Sequence, residues 1–77
     1  MTVLHRLSSL AVGQTATVQA LHVDSGFRFR LHALGFRVGK TLQVIRTAPF
    51  NGPLQLRLGN TDVMLRQQDA DKIEVYL

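Results

Sequence analysis

A chain of 77 residues, 45% of them hydrophobic and 18% charged, has the composition of a small folded protein and little room for both a core and an enclosed active-site cavity. The absence of cysteine excludes disulfide frameworks, thiolate metal sites and cysteine catalysis, and it favours a reducing, cytoplasmic compartment. Nine basic against five acidic residues give a net charge of +4, which favours an acidic partner: nucleic acid, a membrane surface or an acidic protein.

The hydrophobic residues are distributed too evenly for a membrane span. The longest uninterrupted aliphatic stretches, such as residues 10–12 and 63–65, contain three residues. A spanning helix needs about 20 apolar residues, and a signal-peptide core needs at least about 7. No internal repeat or linker divides the sequence. We therefore expect one domain over residues 1–77 and no membrane insertion.

The first predicted elements are a helical turn and a strand. Residues 7–13 fit a short turn of helix that reverses at Gly13, with Leu7 and Leu10 pointing inward. Residues 15–23 alternate between apolar and polar side chains, as a strand does. The alternation shifts near residue 20, which indicates a bulge or a strong bend.

Residues 26–34 form the one predicted helix. Asp24 or Ser25 can cap its first turn, and Gly35 can adopt the left-handed conformation that ends it. Phe36, just past this end, is expected to pack back on the helix.

The predicted helix has an apolar face and an outward face. Phe27, Leu31 and Leu34 share the apolar face at i, i+4, i+7 spacing. Phe29 lies off this stripe, so it either makes a small core contact with Ala33 or anchors an interface. The outward face carries three residues: Arg28, Phe29 and His32.

The rest of the chain alternates as strands separated by turns. In the first turn, Pro49-Phe50-Asn51-Gly52-Pro53, the Asn-Gly pair is expected to accept positive φ. Gly59-Asn60 fits a two-residue hairpin, and residues 68–72 fit a polar turn or a single helical turn. The four predicted strands are residues 41–48, 54–58, 61–66 and 73–77.

About five short strands, with one short helix inserted after the first strand, predict an all-β fold. A meander of this length buries its apolar face most economically by closing into a small, strongly bent barrel, and we expect an SH3-like barrel. The predicted core consists of Val18, Leu31, Leu34, Leu42, Val44, Leu54, Leu56, Val63, Leu65, Ile73 and Val75.

Three groups of residues also occur in the order and spacing of a known bacterial family. Residues 30–39 contain a basic residue and Leu before a Leu-Gly pair, with a second Gly four residues later. Residues 48–53 are similar to an Ala-Pro-Leu-Gly-Asp-Pro turn, with Asn-Gly where Gly-Asp is usual. Residues 63–75 match the closing strands. Together these segments resemble the FeoA family, the ferrous iron transport protein A of bacteria.

The resemblance implies a cytoplasmic SH3-like barrel that assists FeoB, a membrane protein with a cytosolic GTPase domain, in ferrous iron uptake. It implies action by protein–protein interaction with the cytosolic region of the transporter, and hence a peripheral place at the inner membrane. A homo-oligomer is compatible with it. The same barrel occurs as the C-terminal domain of iron-dependent transcriptional repressors, so a stand-alone relative of that domain is an alternative.

A second alternative, a nucleic-acid-binding small barrel, rests on the charge alone. Such binders usually stack bases on aromatic side chains of a strand face, and only Tyr76 qualifies here. The sequence therefore favours a protein partner, and no nucleic acid is expected.

The sequence lacks the residue patterns of catalysis and of metal binding. It contains no GxSxG, phosphate-binding loop or HExxH motif, so we expect no enzymatic activity and no cofactor. His5, His22 and His32 are not spaced as ligand pairs, although His22 and Asp24 could meet on one side of a strand. We expect no tight metal site within one chain.

Basic residues are concentrated in the middle of the chain. From Arg28 to Arg66 there are seven basic residues and one acid, Asp62. Such a cluster can dock an acidic surface, or it can simply be a solvated face. The predicted partner-binding surface consists of Arg28, Phe29, His32, Arg37 and Lys40.

Overall fold

Six antiparallel strands form one hydrogen-bonded sheet in the computed structural model, which describes residues 3–77. The elements in chain order are β1 (Leu4–Arg6), a 3₁₀ turn (Leu7–Ser9), β2 (Thr15–Leu21), α1 (Ser25–Ala33), β3 (Thr41–Thr47), β4 (Leu54–Leu58), β5 (Thr61–Leu65), α2 (Gln67–Ala70) and β6 (Ile73–Tyr76). The strand order is β1-β6-β2-β3-β4-β5. Residues 1 and 2, which belong to the predicted domain, lie outside the described residues.

The sheet curls because two of its strands contain register shifts. One shift lies between Val18 and Ala20 of β2, and the other lies between Val44 and Arg46 of β3. Bulges of this kind increase the local twist and bend a strand. The predicted bend near residue 20 is confirmed. As a result, the inward side chains of the sheet form one hydrophobic cluster.

One strand was not predicted from the sequence. β1 has only three residues, which is too short for an alternating pattern to stand out, and it pairs with β6 through His5 and Val75. The strand count is therefore six within residues 3–77, and α1 follows the second strand rather than the first.

The helix begins and ends close to the predicted positions. Asp24 is the N-cap, because its Oδ1 accepts a hydrogen bond from the Phe27 amide at 2.8 Å. At the other end, the Gly35 amide donates to the His32 carbonyl and the Phe36 amide donates to the Leu31 carbonyl. This pair of bonds is a Schellman motif, and Gly35 supplies its positive φ of 101°.

All predicted core residues are buried except Leu34, which is 45% exposed. The prediction extended the helical stripe one position too far, because α1 ends at Ala33 and the Schellman turn then redirects the chain. Phe36, with 0% exposure, fills the core in its place. Other buried residues outside the predicted core are Leu7, Leu10, Ala16, Leu21, Leu58 and Ala70.

The turn between β3 and β4 differs from its prediction. Positive φ occurs at Phe50 (59°) and Asn51 (56°), and not at Gly52. Gly52 is needed for a different reason: a Cβ there would lie 2.6 Å from the Cβ of Ala48.

The helices of the described chain are short. The longer one, α1, has nine residues, and no helix within residues 3–77 is long and apolar enough to cross a membrane.

Candidate partner-binding surface

An open groove of about 720 Å³ lies between the turn that follows α1 and the β4–β5 hairpin. We call it the basic groove. One wall consists of His32, Ala33, Leu34, Gly35, Arg37, Val38, Gly39 and Lys40, and the other consists of Leu58, Gly59, Asn60 and Thr61.

The first wall is held in place by backbone hydrogen bonds to the barrel. The Gly39 amide donates to the Val18 carbonyl at 2.8 Å, and the Val18 amide donates to the Lys40 carbonyl at 2.9 Å. The Lys40 amide also donates to the Arg37 carbonyl. The segment that carries the groove's basic side chains is therefore fixed on β2.

The groove is electropositive. None of its lining residues is acidic, and Arg37 and Lys40 are exposed. Within residues 3–77, neither of these two side chains forms an ion pair. Unpaired cations on a concave surface attract acidic groups and raise their local concentration.

Exposed apolar side chains accompany these charges. Val38 is 64% exposed, and Leu34, the residue misplaced in the predicted core, lines the groove as well. Apolar contact area combined with arginine is typical of the surfaces by which proteins bind each other. The groove can thus receive a segment that carries both carboxylates and apolar side chains.

The structure brings three of the five predicted partner-binding residues into the groove: His32, Arg37 and Lys40. Arg28 lies next to it, in a hollow of about 440 Å³ that shares His32 and Val38 with the groove. Phe29 lines neither cavity.

Arg28 and Phe29 differ in how free their side chains are. The Arg28 Nη2 donates to the carbonyls of Leu21 at 3.0 Å and Val23 at 3.4 Å, so its guanidinium supports the end of β2. Phe29 is 77% exposed, and its alternative interpretation as a core contact with Ala33 is wrong. Phe29 is therefore an exposed aromatic residue on the outward face of α1.

Sequence reasoning missed the second wall of the groove and the apolar part of the first. The hairpin residues Gly59 and Asn60 lie some twenty positions after Lys40, and their local pattern indicates only a turn. The exposure of Leu34 and Val38 could have been inferred from their positions on either side of Gly35, because the chain changes direction at a Schellman turn.

The single acid in the basic segment is already paired on the β4–β5 hairpin. Asp62 accepts two hydrogen bonds from Arg57, at 2.8 and 3.0 Å, and one from Gln55 at 3.1 Å. The bonds from Arg57 are the main cause that lowers the pKa of Asp62, and they raise the pKa of Arg57. Asp62 therefore compensates Arg57 rather than the cations of the groove.

The histidines lie apart from one another. His22, just after β2, contacts Glu74 of β6, with 2.8 Å between Nε2 and Oε1. The sequence allowed a contact between His22 and Asp24, but Asp24 instead caps α1. His5 is on β1 and His32 is in the groove. Among residues 3–77, no three His, Asp or Glu side chains come together as a metal site requires.

Metal binding can be tested directly by calorimetry. We expect anaerobic titration with ferrous iron, and a separate titration with zinc, to show no stoichiometric micromolar binding to one chain, because His22 and Glu74 provide only two ligands. Saturable binding that disappears in His22→Ala or His32→Ala would contradict this prediction.

Comparison with known proteins identifies relatives along nearly the whole chain. The model of the FeoA domain family matches residues 5–77. Over 72 residues the chain is 40% identical to a Fe(2+) transport protein A/Fe(2+) transporter FeoB fusion protein of Porphyromonas gingivalis. This alignment covers 94% of this chain but only 8% of the fusion protein. It is 32% identical over 71 residues to the putative Fe(2+) transport protein A of Campylobacter jejuni, covering 92% of this chain and 96% of that protein.

Solved structures share the fold. FeoA of Stenotrophomonas maltophilia complexed with zinc, described as a prokaryotic SH3 domain protein, has a TM-score of 0.72 and 32% identity, over 97% of this chain and 88% of that one. A manganese-dependent transcriptional repressor has a TM-score of 0.88 over 99% of this chain and 42% of its own length. At 21% identity, the repressor shows the fold alone. The predicted SH3-like fold is confirmed.

Proposed function

Because the chain belongs to the FeoA domain family, which is linked to ferrous iron transport, we propose that it is an accessory protein that binds the cytosolic region of a FeoB-like transporter. The fusion protein of Porphyromonas gingivalis carries this proposal, since it joins a related domain to the transporter in one polypeptide. Fusion keeps two modules at a high effective concentration, which favours even a weak contact between them. In the proposal, the same contact forms here between separate chains.

The proposed docking surface is the basic groove together with the adjacent outward face of α1. It includes the five residues predicted from sequence: Arg28, Phe29, His32, Arg37 and Lys40. Arg37 and Lys40 would speed encounter with an acidic surface, because long-range attraction acts mainly on the association rate. Phe29 would slow release if it becomes buried in the complex.

We further propose that the protein acts without catalysis, as one domain over residues 1–77, and is held at the inner membrane only through the transporter. The groove is open, and its lining residues include no serine, cysteine or carboxylate, which suits binding rather than chemistry.

The decisive experiment is ferrous iron uptake in cells that lack the native copy. We expect deletion to lower transporter-dependent uptake several-fold and the wild-type chain to restore it, because the transporter would lose its bound accessory domain. Cells that lack the transporter itself define the background. If deletion leaves transporter-dependent uptake unchanged, the proposed function is wrong.

Co-purification adds an independent test of the contact. The wild-type chain should be recovered with the detergent-solubilised transporter, and it should also bind the purified cytosolic region alone. Recovery with the whole transporter but not with the cytosolic region would place the contact elsewhere and would contradict the proposed docking surface.

A further inference from the structure

The turn between β3 and β4 has an unusual backbone for its sequence. The Gly52 amide donates to the Pro49 carbonyl at 3.1 Å, which closes a four-residue turn. The two central residues, Phe50 and Asn51, both have positive φ, at 59° and 56°. These values correspond to a type I′ turn, in which Asn, Asp and Gly are strongly preferred at the central positions.

Phe50 therefore occupies a central turn position that normally takes asparagine, aspartate or glycine. Positive φ is rare for a bulky side chain, because its Cβ crowds the following carbonyl. The positive φ does not fall on Gly52, the glycine of this turn, but on Phe50 and Asn51. The backbone strain at Phe50 is thus built into this turn.

The Phe50 side chain gains nothing from this strain within the described chain. It is 99% exposed, so its ring lies in water at the apex of the turn. The strained backbone destabilises the folded protein, and the exposed ring contributes no buried area that would offset this cost. Strained residues of this kind are concentrated at ligand-binding and switch sites, where contacts in the bound state offset the strain.

The turn is held in a fixed position. The Gln67 Nε2, at the start of α2, donates to the Gly52 carbonyl at 3.3 Å, and the Ala48 amide donates to the Pro53 carbonyl at 3.0 Å. A rigid apex loses little entropy when it binds, which is the condition under which one side chain can act as an anchor.

The surroundings of the apex favour a protein partner over a lipid surface. Exposed Arg66 lies beside the turn, in a hollow that it shares with Asn51, and exposed Arg46 lies on β3 just before it. Asp71 lines the same hollow, so the charge around the ring is mixed, whereas binding to anionic headgroups favours a uniformly basic patch. A single ring amid polar groups of mixed charge matches an anchor residue that fills a pocket, with its basic neighbours at an acidic rim.

We propose that Phe50 anchors a second contact surface, distinct from the basic groove, by inserting into an apolar pocket with an acidic rim on the cytosolic region of the transporter. This inference rests on the proposed function for its partner. The Phe50 turn and the β4–β5 hairpin lie at opposite ends of β4, a strand of five residues. Five residues of strand span about 16 Å, so one partner can be held at two points.

The test uses Phe50→Asn, because asparagine accepts positive φ and removes the aromatic ring. We expect its thermal midpoint to equal or exceed that of the wild type, because the strain is relieved. We expect its affinity for the purified cytosolic region to fall about tenfold or more at low and at high salt, because the lost contact is apolar. The matched control is Asn51→Gly, which alters the same turn but keeps the ring, and it should bind as the wild type does.

The outcomes separate this inference from the proposed function. If the wild type binds the cytosolic region and Phe50→Asn binds equally well, the anchor is wrong and the proposed function stands. If Phe50→Asn loses affinity but also melts earlier, Phe50 is structural and the anchor is wrong. If the wild type does not bind the region at all, both proposals fail.

A parallel sedimentation experiment uses phosphatidylcholine vesicles that contain phosphatidylglycerol. We expect neither the wild type nor Phe50→Asn to sediment with them. Sedimentation of the wild type that Phe50→Asn abolishes would identify a lipid surface as the occupant and would overturn the protein pocket.

Discussion

Replacing Phe36 with alanine is expected to destabilise the fold by about 3–5 kcal/mol, the range for truncating a buried aromatic residue. The ring is completely buried, and it takes the core position that Leu34 leaves open at the end of α1. A domain of this size has a total stability of only about 5 kcal/mol, so the variant should keep only about 0–2 kcal/mol of it and should unfold at a much lower urea concentration. Urea denaturation followed by circular dichroism measures the change in the free energy of unfolding.

Leu34→Ala is the matched control for this prediction. Leu34 is two residues away and 45% exposed, so its truncation should change the free energy of unfolding by only about 1 kcal/mol. If Leu34→Ala proved as damaging as Phe36→Ala, the Schellman turn would not place these two residues as described.

The double variant Arg37→Glu with Lys40→Glu is expected to lower the affinity for the transporter's cytosolic region about tenfold or more at low salt. Both side chains line the basic groove, and within residues 3–77 neither is paired with an acid. The loss should be smaller at high salt, because salt screens the attraction in the wild type and the repulsion in the variant. Titration of the wild type and of the variant with the purified cytosolic region, at two salt concentrations, measures this loss of affinity.

A charge-matched control separates the groove from net charge. Each reversal subtracts two charges, so Arg37→Glu with Lys40→Glu changes the net charge from +4 to 0, and Arg6→Glu with Lys72→Glu does the same. Arg6 and Lys72 are exposed and lie outside the groove. An equal loss of affinity in this control would mean that overall charge, rather than the groove, drives binding.

Arg28 is a poor choice for charge reversal in such an experiment. Its guanidinium bonds to the carbonyls of Leu21 and Val23, so Arg28→Glu would remove two structural hydrogen bonds together with the charge. Loss of binding in that variant could not be assigned to docking.

The sequence alone determined the elements that depend on local periodicity and on local hydrogen bonds. Alternation of apolar and polar residues predicted β3, β4, β5 and β6, because a pleated strand half-buried in a sheet imposes that period. Asp24 predicted the start of α1, and Gly35 predicted its end, because a cap bonds to groups only two or three residues away. The family resemblance drew on the same local segments.

Only the tertiary structure decided the features that need distant partners. β1 exists through its pairing with β6, more than sixty residues along the chain, and the basic groove needs the β4–β5 hairpin to face Arg37 and Lys40. The positive φ at Phe50 accompanies a turn that closes between the paired strands β3 and β4, with the Gly52 amide bonded to the Pro49 carbonyl. These contacts depend on how the sheet curls around its core, and a local pattern carries no information about which distant residues that curl brings together.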